Sequence, residues 1–152
     1  MEKISLKKLQ NFMEQAEVIS KLSKDIHTKV GCKLINPDNL NDISSGYNGY
    51  IRNAPDNKLP SNRPDKYNYT IHAEQNAICN AARLGNSTNG AICICTLSPC
   101  KSCMRSLWQS GISTIYFKDI YKTFEEDKMM LDLNYTLTKV GEYYKLKLKA
   151  GE

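Results

Sequence analysis

Long apolar runs are missing from this chain. No stretch approaches the roughly 20 residues that a bilayer-crossing helix needs. The opening Met1-Glu2-Lys3-Ile4 lacks the apolar segment of a secretory signal. The expected location is therefore the cytoplasm, with no membrane partner, where disulfides are rare. Internal repeats and low-complexity tracts are absent too, which excludes solenoids and arrays. Histidine is scarce, with only His27 and His72 among 152 residues, so a metal site here must draw most of its donors from other residue types. Nor is there a large excess of one charge. The net +5 favours anionic partners without separating nucleotides from nucleic acid.

What is present describes an ordinary globular chain, 41% hydrophobic and 24% charged. Its length suits one domain over residues 1–152. Leu6, Leu9, Phe12, Met13, Ala16, Ile19 and Leu22 recur at three- and four-residue intervals, which predicts an amphipathic helix over 5–22 with Ser5 as N-cap. Residues 29–35 and 43–47 read as strands joined by the turn Asn36-Pro37-Asp38-Asn39. From 48 to 69 the composition shifts to Asn, Asp and Pro55, Pro60 and Pro64. An irregular loop this long inside a compact domain is usually functional, and it leads directly into His72. Beyond it come a helix over 73–84 ended by Gly85, a central strand over 91–97 and a helix over 100–110 stopped by Gly111. A strand over 112–117, a short helix over 124–131 and strands over 135–140 and 143–149 complete the chain. Strands alternating with helices after a hairpin predict an α/β fold, a mixed sheet of five or slightly more strands with helices on both faces.

The six cysteines read as thiols. Cys93 and Cys95 stand two apart and share a strand face, and with Cys32 and Cys79 they read as buried free thiols. Cys100 and Cys103 lie one turn apart at the start of a helix, so both sulfurs can face one metal. The helix N-terminus also favours their thiolate forms. His72 and Glu74 open the other helix. His72, Cys100 and Cys103 make three zinc ligands and leave a fourth tetrahedral position for water, as catalytic zinc sites do. Glu74, two residues from a ligand, is placed to move protons. Together His72-Ala73-Glu74 and Pro99-Cys100-Lys101-Ser102-Cys103 match the H-x-E…P-C-x-x-C signature of zinc-dependent nucleobase deaminases. The chemistry implied is hydrolytic: water attacks the carbon that bears an exocyclic amine, and ammonia leaves.

The alternative is a structural zinc with Glu74 as a helix N-terminal acid, but no fourth ligand stands near either half. His27, in Asp25-Ile26-His27-Thr28, reads as a loop residue or an anion contact. Asn48, in Gly46-Tyr47-Asn48-Gly49, reads as an ordinary turn asparagine or as a partner for a sugar hydroxyl.

A wider set of segments resembles the deoxycytidylate (dCMP) deaminases, a branch of the zinc-dependent cytidine/deoxycytidylate deaminases. The set comprises Ser23-Lys24-Asp25, Val30-Gly31, Gly46-Tyr47-Asn48-Gly49, Lys66-Tyr67-Asn68-Tyr69, His72-Ala73-Glu74-Gln75-Asn76-Ala77-Ile78 and Leu97-Ser98-Pro99-Cys100, spread over residues 20–117 in the family's order. The resemblance implies conversion of dCMP to dUMP for thymidylate synthesis, a cytidine-deaminase-like fold, and assembly into hexamers. It also implies activation by magnesium-dCTP and inhibition by dTTP. It places the zinc on His72, Cys100 and Cys103, makes Glu74 the proton shuttle and sets Asn48 against the deoxyribose. The Ala73 backbone and Ser98 would face the cytosine, and Tyr121 the phosphate. For the regulatory nucleotide it points to Lys24, His27, Lys29, Gly49 and Arg52, where basic groups surround turns whose N–H groups suit phosphates. The chain departs from the family at Gly49-Tyr50-Ile51-Arg52, where a proline is common, and at Asn80, where some viral members carry a large aromatic. An additional structural zinc has no counterpart.

Three rival readings share parts of this pattern. A nucleic-acid deaminase would be expected to show a basic face with exposed aromatics, whereas the basic residues here are scattered. Lys145, Lys147 and Lys149 alternate with Tyr144, Leu146 and Leu148, which reads as an edge strand kept soluble by lysine. A free-nucleoside cytidine deaminase differs only in having no phosphate requirement, and a non-catalytic zinc-stabilised binding module would release no ammonia.

Overall fold

The computed structural model describes residues 4–129 and 135–149. The strands are β1 (Gly31–Ile35), β2 (Asp42–Tyr47), β3 (Gly49–Tyr50), β4 (Thr70–Ile71), β5 (Ile92–Leu97), β6 (Thr114–Asp119), β7 (Tyr135–Val140) and β8 (Tyr143–Leu148). The helices are α1 (Leu6–Ser20), α2 (Ala73–Leu84), α3 (Lys101–Gln109) and α4 (Phe124–Met129). Six strands form one mixed sheet in the order β2–β1–β5–β6–β8–β7. Only β5 and β6 run parallel, joined through α3; the other neighbours are antiparallel.

Both sheet faces are covered, as expected. On one, Leu9 and Met13 of α1 pack over Ile35, Ile94 and Tyr116. On the other, Ala73, Ala77 and Ala81 of α2 and Met104 and Leu107 of α3 cover Cys32, Leu34, Cys93, Cys95 and Phe117. Strand β5 is buried from Ile92 to Thr96 because helices lie above and below it.

Local chemistry sets the helix ends. Ser5 Oγ accepts from Lys8 N at 3.2 Å, and α2 stops at Gly85, whose φ of 74° is the left-handed value that glycine adopts without strain. The alanines of α2 let it lie close on the sheet. A Cβ at Gly46 of β2 would sit 2.5 Å from both Ala73 O and Ala77 N. Asparagine side chains fix the same contact: Asn76 Nδ2 donates to Tyr47 O at 2.7 Å, Asn80 Nδ2 to Ser45 O at 2.7 Å and Asn86 Nδ2 to Ile43 O at 2.8 Å.

Several expectations need correction. The segment from 48 to 69 is not wholly irregular: β3 pairs with β4, and single turns of 3-10 helix lie at Asp56–Lys58 and Asp65–Asn68. Strand β8 is not an edge, because it is flanked by β6 and β7; its Lys145 lies over the ring of Tyr116 of β6, and Lys139 of β7 lies over the ring of its Tyr144. Cys79 is exposed, whereas Cys32, Cys93 and Cys95 are buried as free thiols, the first two with sulfurs 3.5 Å apart. Cys79 follows Ile78 on α2 and so turns away from the alanine face. Element ends shift by one or two residues, and positions 130 and 131 of the expected last helix lie outside the described residues. Among the described residues no helix is long and apolar enough to cross a membrane.

Candidate active site

The carboxyl end of β5 leads through Ser98 and Pro99 into α3, and β4 leads directly into α2. Crevices at the carboxyl ends of parallel strands are common ligand sites in open α/β sheets. Here two helix N-termini meet at one. His72 immediately precedes α2 and Cys100 immediately precedes α3. The backbone N–H of His72 donates to Gln75 Oε1 at 3.2 Å, which fixes the entry into the helix. His72 Nδ1 then lies 3.3 Å from Cys103 Sγ and 3.6 Å from Cys100 Sγ. All three donor atoms fall within 4.8 Å of one another.

These separations fit a tetrahedral metal. Zinc bonds of about 2.3 Å to sulfur and about 2.05 Å to nitrogen, at tetrahedral angles, separate N and S by about 3.6 Å. One imidazole and two sulfurs are a zinc donor set, and among the described residues no fourth His, Cys, Asp or Glu joins the group.

Charge in the pocket is strongly coupled. The Cys100 thiol is pulled down to about 4, first by a hydrogen bond from Cys103, against burial, with His72 adding to the effect. Cys103 moves upward, because the same bond to Cys100 holds its proton, with burial and Glu74 acting in the same direction. His72 is raised by its bond to Cys100, against burial. The pair thus keeps one proton between two sulfurs, which a divalent cation would displace. Glu74 is 4% exposed, and burial is the largest cause of its raised carboxyl pKa.

A cavity of about 360 Å³ opens beside this group. His72, Glu74 and Cys100 line it, as do Asn48, Ala73, Ser98 and Tyr121. Cys103 is buried behind. Asn48 serves both as turn residue and as cavity wall: its Nδ2 donates to Thr28 O and its Oδ1 accepts from Val30 N, both at 2.8 Å. Ser98 Oγ accepts from the Tyr121 backbone N–H at 2.8 Å, tying the segment after β6 to the site.

Two of the motif segments are joined here by a pairing that the sequence does not disclose. Lys66 Nζ contacts both oxygens of Asp25, at 3.0 and 2.9 Å, with side chains only 5% and 9% exposed. Asp25 also accepts from the backbone N–H groups of His27 and Thr28. This pair joins the 23–28 turn to the loop before His72, and Arg63 joins them through Thr28 Oγ1 at 3.2 Å. The partners are 41 positions apart, a distance at which no spacing rule applies.

The five candidate regulatory residues do not converge. Lys24 pairs with Asp56 at 3.2 Å and, with Gly49, lines a separate cavity of about 160 Å³. Arg52 Nη2 bonds Asn80 Oδ1 at 2.9 Å and lines a groove over β2 and α2 that Gly49 also borders. His27 and Lys29 are exposed and line neither.

Comparison with known proteins bears on this geometry. The family described as "Cytidine and deoxycytidylate deaminase zinc-binding region" matches residues 6–119. A probable deoxycytidylate deaminase of Caenorhabditis elegans is 36% identical over 133 residues, covering 84% of this chain and 66% of that protein. The deoxycytidylate deaminase of Homo sapiens is 33% identical over 142 residues, covering 83% and 77%. The chain thus spans slightly under two thirds of the length of the nematode relative. Among solved structures, a dCMP deaminase of the cyanophage S-TIM5 in complex with dCMP and dUMP superposes with a TM-score of 0.73 at 26% identity, over 85% of this chain and 93% of that one. A cytidine deaminase of Mycobacterium tuberculosis shares the fold, with a TM-score of 0.52 at 17% identity over 76% of this chain and 85% of that one. By the span of the family match and by these relatives, the chain belongs to the zinc-binding cytidine and deoxycytidylate deaminase family.

Proposed function

We propose that this chain is a zinc-dependent deaminase that converts dCMP to dUMP and ammonia. The observation that carries the reading is a buried carboxyl, Glu74, beside a His/Cys/Cys donor set at the wall of a cavity large enough for a small molecule. Zinc held by His72, Cys100 and Cys103 would supply a Lewis acid that makes water a competent nucleophile at neutral pH. Glu74 would take the water proton, hand it to the pyrimidine ring nitrogen and later protonate the departing amine. Burial raises its carboxyl pKa, which eases taking up the proton that it must later give. The Ala73 backbone and Ser98 would hold the base, Asn48 would offer its remaining amide hydrogen to the deoxyribose, and Tyr121 would lie toward the phosphate.

The names of the human and nematode relatives support the substrate, as does the cyanophage enzyme in complex with dCMP and dUMP. The test is ammonia release by zinc-loaded protein from dCMP, CMP, deoxycytidine, dCTP, adenosine and a short single-stranded DNA. The expected result is strong preference for dCMP. Equal efficiency on deoxycytidine would mean a nucleoside cytidine deaminase, and preference for DNA a nucleic-acid enzyme. Folding that depends on zinc without any ammonia release would mean a binding module.

A cytoplasmic hexamer, activated by magnesium-dCTP and inhibited by dTTP, is the second part of the proposal. Lys24, His27, Lys29, Gly49 and Arg52 remain the candidate effector residues. Because Lys24 and Arg52 border different hollows and His27 and Lys29 border neither, an effector site built from all five would draw on a neighbouring chain to complete it. Initial rates against dCMP, with and without each nucleotide, decide it; a hyperbolic curve that neither nucleotide changes rejects regulation.

A further inference from the structure

A nucleotide differs from its nucleoside by a phosphate, so the charges around the cavity decide which one it selects. Two basic side chains other than His72 line it, Arg63 and Lys66. Lys66 is already neutralised, held by both oxygens of the buried Asp25. Arg63 is not. Its guanidinium is exposed, donates to the Thr28 hydroxyl at 3.2 Å, and forms no ion pair among the described residues. Thr28 also locates it. The carbonyl of that residue receives Asn48 Nδ2 at 2.8 Å, so Arg63 stands beside the residue proposed to face the sugar. A 5′-phosphate extends from the sugar on the side away from the base, and Arg63 reaches the cavity from the loop wall, whereas Glu74 and Cys100 come from the helix wall.

We infer that Arg63 is the residue that makes this site select a nucleoside monophosphate over a nucleoside, its guanidinium receiving the 5′-phosphate. The inference rests on the nucleotide reading of the site. Guanidinium pairs with phosphate through two parallel charge-assisted hydrogen bonds, which a lysine cannot reproduce. The nearest competitor is Lys122, whose Nζ lies 5.8 Å from the centroid of the Tyr121 ring. Tyr121 lines the cavity but Lys122 does not.

The experiment measures kcat/KM for dCMP and for deoxycytidine with zinc-loaded wild type, Arg63→Gln, Arg63→Lys and Lys122→Gln. Arg63→Gln is expected to shrink the dCMP-over-deoxycytidine ratio by about 10- to 100-fold, mostly through KM for dCMP, the range for losing a hydrogen-bonded charge. Arg63→Lys should fall between, because it keeps the charge and loses the fork. Lys122→Gln should leave the ratio near wild type. Equal losses on both substrates in Arg63→Gln would show a structural role, and a ratio that collapses only in Lys122→Gln would move the phosphate elsewhere; either overturns the inference. A wild-type protein that does not prefer dCMP rejects the nucleotide reading itself, an outcome visible before any variant is made.

Discussion

His72, Glu74 and Cys100 reach the cavity, with Cys103 buried behind them, from the starts of two helices packed on a six-stranded sheet. Thr28, Asn48, Arg63 and Lys66 reach it from turns tied together by side-chain bonds and one buried ion pair. The first wall inherits its geometry from the backbone ladder of the sheet and the close seat of α2 on Gly46. The second is only as firm as a handful of polar contacts. The contrast suits the work divided between them. Proton transfer tolerates errors of a few tenths of an ångström at most, whereas recognition of a charged substrate gains from a wall that can close on it.

The largest expected break lies in the helix wall. Glu74→Gln should lower kcat on the order of 10²–10⁴-fold while leaving the metal in place, because Glu74 is not among the donors. Elemental analysis beside turnover checks this, and a zinc-loaded variant with near-normal kcat would refute the proton role.

Breaking the loop wall should do the reverse. Lys66→Met strands the Asp25 carboxylate in a site where its side chain is 9% exposed, a change that costs about 3–5 kcal/mol for a buried pair. Hydrogen exchange should rise across 48–69 and KM should increase, with zinc content unchanged. pH adds a signature. Burial works to raise the Asp25 pKa, but hydrogen bonds from Lys66, Thr28 and His27 outweigh it and hold the carboxyl below its usual 3.8. The folded state therefore binds that proton less readily than the unfolded one. The stabilisation is complete above the ordinary value and drains away as pH falls through the lower folded value. Lys66→Met removes the strongest bond holding the carboxyl down, so the melting-temperature deficit of the variant should be largest near neutrality and narrow as pH falls through the acid range. Identical acid limbs in melting curves from about pH 3 to about pH 6 would show that the pair does not hold the loop.

The smallest effect concerns how α2 is seated. Asn80→Ala removes one hydrogen bond, to Ser45 O, and the bond from Arg52. Stability should fall by about 1 kcal/mol, or roughly 2–4 °C in melting temperature for a chain of this size, with the substrate ratio unchanged. A large loss of turnover from this variant would mean that the helix wall is less rigid than its packing indicates.

The same contrast governs what the sequence discloses. The helix wall was legible because its signals are local: a His-x-Glu and a Cys-x-x-Cys, each opening an apolar-periodic segment, place their donors by helix geometry alone. The layered α/β architecture followed from the same periodicity. The role of β8 was not legible, since alternation of Lys with Tyr and Leu looks alike on an edge and beside one. The Asp25–Lys66 pair was out of reach because a buried charge pair between two loops has no period. Asn48 fell between: its turn context was plain, but its two bonds to the 28–30 backbone come from tertiary contact.

The asparagines at 76, 80 and 86 also determine how the sheet can grow. A border strand ordinarily offers its free carbonyls to any passing chain. Along β2 those of Ile43, Ser45 and Tyr47 are already occupied by side-chain amides. Those acceptors are taken, while among the described residues β7 at the opposite margin pairs only with β8. A strand added along β2 would have to compete with those amides for the three carbonyls, a cost that a strand added along β7 would not meet.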